Sequence, residues 1–465
     1  MPEATAKITK KSWKIKAVER TKIIGIQNKR IKEIIESRDA WKEKYKVAKQ
    51  AELALRNLCQ GKTSKYHHYC NYFIALCVEM QSYGGMSLRC CRHCLSSLVL
   101  IFGFSFRIPS HVSIRNWACK AGYSRVYESV LAGADKEQEY VIWIDESILI
   151  GREKILLVLG MPLRQIAFTR AVNLQDVRVL SVEVGQRWLG EDIAVILADL
   201  STKIKISYMV TDAGSNLSKA AKLGAYTQIQ DCTHWIAGIL EKLYVNDVTF
   251  KALMHLMGEL RQKWYLSNKA SYLPPKQRIK LRFANIFPLV DWAEKMLLQW
   301  HFLPLDVQNA CNWLPQNKAF IEELILLKNN CVAILCLLKT QGFNKAAQQR
   351  ILASLSANTN VKGKKEMYFC EAITAYLEKL ASQLEGIATK TTTILCCSDI
   401  IESAFGKFKQ KIAKRNTLNM TEFMFTIANF GNHFTALELE NALEKVSLQT
   451  LKNWKISNKN KRETQ

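Results

Sequence analysis

The chain has 465 residues, 48% of them hydrophobic and 23% charged, which is ordinary for a soluble globular protein. Its formal net charge of +25 is unusual and favours a polyanionic partner, nucleic acid before an anionic membrane. The longest uncharged apolar-rich run, Cys94 to Phe106, has 13 residues and is too short to cross a membrane. The N-terminus also lacks the apolar core of a secretory signal, so we expect a cytoplasmic protein with no membrane partner.

Residues 1–65 are predicted to form a basic helical or coiled-coil arm. They contain 18 Lys/Arg against 7 Asp/Glu, and the stretch from Ser12 to Leu58 has no Pro and one Gly. Apolar residues recur at every seventh position, at Ile34, Trp41, Ala48 and Leu55. This pattern is typical of a short coiled coil or of a helix that lies on DNA phosphates, and a solvated basic helix is the alternative.

Residues 66–135 are predicted to form a helix-turn-helix-like DNA-binding domain. The sequence predicts helices over Tyr69–Gln81 and Met86–Leu98, and a third helix that opens at Ile108-Pro109-Ser110 and ends at Gly122. In helix-turn-helix modules the last helix enters the major groove of DNA. The residues expected on its surface are Trp117 and the DNA-binding candidates Arg115, Lys120 and Arg125. A plain helical subdomain is the alternative.

Residues 136–245 change to strand patterns and predict an α/β core. Tyr140–Ser147 is an apolar run without alternation, typical of a strand buried on both faces, and Lys154–Gly160 suits a hairpin partner across a turn at Gly151. Further strands are predicted at Gln165–Arg170, Arg178–Val184, Ile206–Asp212 and Thr227–Asp231. Helices are predicted at Trp188–Lys203 and after each of the last two strands. Together they give a mixed sheet with helices packed on it.

The rest of the chain is predicted to be helical. Residues 246–395 predict a large all-helical insertion, residues 396–450 the last helices of the core, and residues 451–465 a frayed basic tail. Ser398 or Asp399 stands where an N-cap would, so the sequence predicts a helix from Ile400 to Ile412.

Three acidic residues fall at the ends of these elements. Asp145 is predicted to end the first strand, Asp212 the fourth, and Glu402 lies in the first turn of the late helix. If strands one and four are neighbours, their tips converge, and a helix against that edge brings the third carboxylate within reach. Three oxygen donors suit Mg²⁺ or Mn²⁺, and a pair of such ions about 4 Å apart promotes phosphoryl transfer. A turn-capping or helix-capping role is the alternative for Asp145 and Asp212.

These residues resemble the RNase H-like DDE transposases of insertion sequences. The resemblance lies in Trp143–Ser147, Val210–Asn216 and Ser398–Lys409. It implies that residues 136–245 and 396–450 form one RNase H-like catalytic core, in which the three acids bind two Mg²⁺ or Mn²⁺ ions. It further implies hydrolysis of DNA at transposon ends, transfer of the 3′-OH into target DNA, a homo-oligomer, and a bacterial cytoplasm in which the protein associates with the nucleoid.

Other residues are candidates for contacting DNA or for orienting the metal ligands. The family often carries a Lys or Arg seven residues after the third acid, and Lys409 stands there, two helical turns from Glu402. Asp231, His234 and Asp399 could orient a metal-bound carboxylate or a phosphate, and a purely structural role is an equal alternative for His234. Glu146 and Asp231 are the alternatives for the first two acids.

Two other functions remain open from the sequence. One is a metal-dependent nuclease or resolvase of the same fold that performs no strand transfer. The other is a domesticated DNA-binding protein whose acids are vestigial. A joining assay with pre-cut DNA ends would separate the first from a transposase, and metal-dependent cleavage would separate the second.

Overall fold

A five-stranded mixed sheet lies at the centre of the fold. The computed structural model of the chain describes residues 2–60, 68–102, 107–127, 138–150, 153–166, 168–277, 283, 286–357, 363–387, 392–412 and 421–463. The strands are β1 (Glu139–Ile150), β2 (Glu153–Pro162), β3 (Arg178–Gly185), β4 (Lys205–Thr211) and β5 (Gln228–Gln230). Their spatial order is β3-β2-β1-β4-β5. The β1–β2 and β2–β3 pairs are antiparallel, and the β1–β4 and β4–β5 pairs are parallel, which confirms the predicted α/β class.

Two details of the predicted sheet are wrong. Gln165–Arg170 is not a strand in its described part, because residues 163–165 form a 3₁₀ turn and Arg170 is held by an ion pair with Asp176 at 2.6 Å. Asp145 also does not end β1. The strand continues to Ile150 because its antiparallel pairing with β2 persists, whereas its parallel pairing with β4 stops at the Trp143–Val210 pair. The predicted turn at Gly151 lies outside the described residues.

Four helices precede the sheet. They are α1 (Pro2–Gln60), α2 (Asn71–Ser82), α3 (Leu88–Phe102) and α4 (His111–Tyr127). The long basic helix predicted for the N-terminus is confirmed, and the side chains described between residues 13 and 50 are exposed. The third predicted helix extends past Gly122 to Tyr127, because that glycine lies inside the helix rather than at its end.

Helix α4 is a core helix. Trp117 is 5% exposed and Lys120 is 8% exposed, so their predicted surface positions are wrong. Of the residues of α4, Val112 is the one that is largely exposed. The helix therefore does not present the exposed face that a helix in the major groove needs.

The C-terminal helices pack against the N-terminal ones. The side-chain amide of Asn429 donates to the carbonyl of Ala118 at 2.8 Å, Arg125 pairs with Glu438 at 2.8 Å, and Arg115 pairs with Glu422 at 2.9 Å. Arg115 and Arg125, the two arginines predicted to bind DNA, are therefore engaged in ion pairs within the protein. The helix predicted as Ile400–Ile412 begins at Asp399, and the predicted frayed tail is helical to Glu463.

Other helices cover the two faces and one edge of the sheet. Ile142 and Ile144 pack with α5 (Gly190–Ser201) and α6 (Ser215–Leu223), whereas Val141 and Trp143 face the main core. The helices that follow are α7 (Cys232–Tyr244), α8 (Val248–Trp264), α9 (Phe287–Leu298), α10 (Leu305–Ala310), α11 (Trp313–Gln316), α12 (Lys318–Gln341), α13 (Lys345–Ala357), α14 (Lys364–Ile387), α15 (Asp399–Ile412), α16 (Ala436–Lys445) and α17 (Leu448–Glu463).

The helical insertion is attached to the sheet along β5. In α14, the Tyr376 hydroxyl donates to the carbonyl of Gln230 at 2.7 Å, and the Gln383 amide donates to the carbonyl of Gln228 at 2.6 Å. Among the described residues of the block 246–395, the strand-like pairing is a single isolated bridge between Phe343 and Ile394. The prediction that this block is helical is otherwise confirmed.

None of the helices in the described part of the chain is both long and apolar enough to span a bilayer.

We expect Gly122→Ala to destabilise the protein by about 3 kcal/mol, the upper range for an overpacked core. A Cβ at this position would lie against the backbone carbonyl of Phe425, far inside van der Waals contact. Gly238→Ala is the matched control, because a Cβ there meets nothing within 4 Å and alanine favours a helix interior. Urea unfolding measures both variants. Equal free energies of unfolding would show that α4 does not pack against residue 425 as described.

Candidate acidic site

Asp145 and Asp212 extend from neighbouring strands on the same face of the sheet. The last parallel pair joins Trp143 of β1 to Val210 of β4. Each aspartate comes two residues later: Asp145 lies within β1, where side chains two apart point to the same face, and Asp212 directly follows Thr211, the last residue of β4. Trp143 and Val210 both face the main core, so the two carboxyls follow on that face. The convergence predicted from the sequence is therefore reproduced, although Asp145 lies within its strand rather than at its tip.

The loop after β4 is held in a strained conformation. Ala213 has a φ of 61°, in the left-handed region that costs a non-glycine residue about 1 kcal/mol. The backbone N–H of Gly214 donates to Asp212 Oδ1 at 2.8 Å, and the N–H of Ala213 donates to the Thr211 hydroxyl at 3.0 Å. The half-buried Asp212 is thus fixed by its own loop, and its Oδ2 atom receives no hydrogen bond in the described structure.

A short segment, Leu395–Ser398, crosses the same face of the sheet and leads into α15; we call it the crossing segment. The N–H of Leu395 donates to the buried Tyr208 hydroxyl at 3.0 Å, and the carbonyl of Cys396 accepts from the N–H of Cys232 at 2.8 Å. The carbonyl of Cys397 accepts from the Trp143 indole at 2.8 Å, and the N–H of Ser398 donates to Asp231 Oδ2 at 2.6 Å. Hydrogen bonds to β1, β4 and the start of α7 therefore fix the start of α15.

Helix α15 directs Glu402 and Lys409 toward β1. Lys409 Nζ lies 3.1 Å from the Ser147 hydroxyl, and Glu402 is seven residues earlier on the same helical face. Trp143 and Ser147 lie two positions before and two positions after Asp145 in β1. Trp143 contacts Cys397 of the crossing segment, and Ser147 contacts Lys409 of α15. Asp145 consequently faces α15.

Electrostatic coupling links the three acids. The pKa of Asp145 is raised to about 7, first by desolvation, then by the negative charge of Asp212, with a smaller contribution from Glu402. Desolvation also raises the pKa of Glu402, although this residue lies at the surface. The negative charges of Asp212 and Glu402 therefore act on the carboxyl of Asp145, which indicates that the three acids lie near one another.

His234 is the cation beside this pocket. Its ring Nδ1 lies 3.0 Å from Asp231 Oδ1, which also accepts the backbone N–H of His234 at 2.7 Å. The hydrogen bond to Asp231 raises the pKa of His234 to about 9, and the charges of Asp212 and Glu402 add to the effect. A protonated imidazole donates hydrogen bonds and does not ligate a metal ion. The sequence named this residue without predicting its charge.

Asp231 is a positioning residue in this geometry. It is 1% exposed, directly follows β5, and accepts hydrogen bonds from His234 and Ser398. These hydrogen bonds keep the pKa of Asp231 below its usual value despite the opposing desolvation. Asp231 therefore connects α7 to the crossing segment, and is poorly placed to replace either strand acid.

Glu146 and Asp399 lie apart from the acidic pocket. Glu146 alternates to the opposite side of β1 from Asp145 and pairs with Lys154 at 3.2 Å. Asp399 is about half exposed and pairs with Lys339 at 2.6 Å. These contacts support neither Glu146 as the alternative to Asp145 nor the orienting role predicted for Asp399.

A second group of polar atoms lies beneath the crossing segment. Ligand atoms of Asp231, Cys232 and Cys397 all lie within 4.8 Å of one another, and among the described residues no other three potential ligands meet that spacing. The pKa values of both thiols are raised, by hydrogen bonds between cysteines and by burial. Because metal ligation requires thiolates, we interpret these cysteines as neutral groups of the core.

Sequence reasoning missed the crossing segment. Its residues, Leu-Cys-Cys-Ser, carry no motif that predicts contacts with three other elements. The one available signal was Ser398 before the helix, which we interpreted as a cap. No protein-family model matches this chain, and a comparison with curated proteins found no significant match.

We expect Asp231→Asn to lower the pKa of His234 from about 9 by at least one unit, because the carboxylate partner is lost. The raised folded-state pKa means that this interaction stabilises the protein fully below pH 6.5, and that the contribution disappears as the pH rises through about 9. The stability gap between wild type and variant should therefore narrow between these pH values. NMR titration of the imidazole and urea unfolding across this range measure the two effects.

Asp247→Asn is the matched control, since Asp247 caps α8 through the N–H of Phe250 at 2.7 Å as Asp231 caps α7. This variant should lose stability without moving the His234 titration. A His234 pKa that is the same in wild type and Asp231→Asn would contradict the pairing.

Proposed function

We propose that this protein is a DNA transposase of the RNase H-like DDE type, acting on DNA in the bacterial nucleoid. One observation carries the proposal: Asp145 of β1 feels the negative charges of Asp212, which follows the neighbouring strand β4, and of Glu402 in the first turn of α15. The strand order, with an antiparallel β1–β2–β3 unit followed by parallel β4 and β5, supports the same resemblance. The net charge of +25 supports a polyanionic substrate.

The donor set fits Mg²⁺ or Mn²⁺. Both ions prefer carboxylate oxygens, and a bound cation would offset the desolvation and the negative charge of Asp212 that raise the pKa of Asp145. Asp145, Asp212 and Glu402 would hold the two ions. Such a pair of ions supplies Lewis-acid stabilisation of the attacking and leaving oxygens. The carboxyl oxygens of Asp145, Asp212 and Glu402 do not all lie within 4.8 Å of one another, the spacing at which three ligands can hold one ion. That limit does not apply to three carboxyls that share two ions.

The chain's own groups would position the substrate. The His234 imidazolium, held by Asp231, places a hydrogen-bond donor beside the acids, where it can contact a phosphate oxygen. Lys409 is a second cation on the Glu402 face of α15 and can contact a phosphate of the same strand. Both residues would orient a phosphodiester for in-line attack.

The proposed reaction has two steps of the same kind. In the first, a water oxygen forms a bond to phosphorus at the transposon end, the bond to the 3′ oxygen breaks, and a 5′-phosphate and a 3′-OH result. In the second, that 3′-OH attacks a phosphodiester of the target DNA, whose own 3′ oxygen leaves. One acidic site serves both steps, because each is an exchange of oxygens at phosphorus.

We expect Asp145→Asn, Asp212→Asn and Glu402→Gln each to reduce Mg²⁺-dependent DNA cleavage by about 10³-fold, the scale of losing one key electrostatic group in a site. DNA binding should change by less than about twofold, since these residues would hold the ions at the reacting phosphate and the basic residues elsewhere would bind the rest of the DNA backbone. A gel assay of cleavage and an anisotropy assay of binding on transposon-end duplexes measure the two effects.

Asp399→Asn is the matched control, because Asp399 is an acid in the same helical turn that pairs with Lys339 instead. It should cleave at close to the wild-type rate. Normal cleavage by Asp212→Asn would overturn the assignment of the site. Cleavage without joining of pre-cut ends would instead indicate a nuclease.

We expect the affinity for Mn²⁺ to rise about tenfold per pH unit up to about pH 7 and to level off above it. Asp145, whose pKa is about 7, must lose its proton before it binds a cation. Calorimetry in two buffers of different ionisation enthalpy measures this proton release. Asp145→Asn should flatten the pH dependence, and Asp399→Asn should preserve it. A wild-type affinity independent of pH between 5 and 7 would contradict the proposed role of Asp145.

A further inference from the structure

A cleft of about 1000 Å³ opens between the N-terminal helices and the second half of α15. Its walls are the α2–α3 turn, the start of α3, the start of α4 and the last turns of α15. Of the residues that line it, none is acidic and five are basic: Arg89, His111, Arg115, Lys407 and Lys411. We call it the basic cleft.

Arg89 and Lys407 are the two cations of the basic cleft that make neither an ion pair nor a hydrogen bond with the described residues. Arg115 is paired with Glu422, and Lys411 donates to the carbonyls of Gln81 and Ser82 at 2.6 and 3.2 Å. Arg89 and Lys407 are exposed and make no ion pair with the described part of the chain. Their charges therefore remain available to an anionic ligand.

The basic cleft and the acidic pocket lie on different faces of α15. Lys407 is five residues from Glu402 and Lys411 is nine, which places them roughly 140° and 180° around the helix axis from Glu402 and roughly 8–14 Å along it. Accordingly, Lys409, on the Glu402 face, contacts Ser147 of β1, whereas Lys411 contacts Gln81 and Ser82 of α2.

We propose that the basic cleft binds the sugar-phosphate backbone of one polynucleotide strand, on the face of α15 that lies away from Glu402. The inference rests on the proposed function and adds the position and the form of the bound DNA. A volume of about 1000 Å³ is at the upper end for small-ligand pockets, so the cleft admits a few nucleotides of one strand and not a duplex. The occupant is therefore single-stranded DNA.

The first test is binding of a fluorescein-labelled single-stranded 12-mer to the full chain in EDTA, followed by anisotropy over a range of salt concentrations. We expect the double variant Arg89→Ala/Lys407→Ala to bind at least tenfold more weakly. For this variant, the slope of log affinity against log salt concentration should be shallower by about 1.4, the value for two lost phosphate contacts on a single strand. The control Lys242→Ala/Lys251→Ala removes two exposed charges outside the basic cleft and should change neither quantity.

The second test uses a thiol that the chain already carries in the basic cleft. Cys90 lines the cleft and is exposed, whereas Cys336 is an exposed thiol on α12, outside it. A saturating single strand should slow alkylation of Cys90 at least fivefold and leave Cys336 unchanged, as measured by mass spectrometry of the intact-chain digest. Equal alkylation of Cys90 with and without the strand would overturn the proposal.

Failure of this proposal is distinguishable from failure of the proposed function. Binding is measured without metal, so an inactive acidic site leaves both tests readable. If the double variant binds the 12-mer as wild type does, or if a duplex protects Cys90 as well as the single strand, the basic cleft is not a strand site. Normal cleavage by that same variant would leave the acidic site in place.

Discussion

The hydrogen bond from the Ser398 backbone to Asp231 at 2.6 Å is the contact on which the acidic site depends. It connects two parts of the chain that are more than 160 residues apart. Because Asp231 is almost completely buried, its carboxylate requires these donors, and their absence would leave an unpaired charge in the core. The start of α15, and with it Glu402, is consequently fixed relative to β4 and β5.

Charge is distributed unevenly around that contact. Three coupled carboxyls lie on one face of the sheet, an imidazolium stands beside them, and lysines follow along α15. Asp145 is partly desolvated and lies near like charges, which disfavours its ionised form, and the nearby imidazolium opposes this effect only in part. Strongly shifted groups of this kind occur mainly at functional sites, which is the physical basis for proposing this face as the site.

The local patterns predicted the sheet and the three acids, and non-local contacts account for the errors. The unbroken apolar run in β1 indicated burial on both faces, and the acid after β4 was visible as the end of a strand. The basic residues of α4 suggested a DNA-reading surface, but Arg125 pairs with Glu438, 313 residues later, and Lys120 is buried. The crossing segment was missed for the same reason, because its hydrogen-bond partners are distant in sequence.

The attachment of α14 to β5 has a consequence for how the chain tolerates change. A terminal strand exposes unpaired carbonyl and amide groups that can recruit strands of other molecules and cause aggregation. Tyr376 and Gln383 occupy two carbonyls of β5, so the inserted block shields that border of the sheet. Shortening this helical block would therefore remove the shield and favour self-association, even if every acid remained in position.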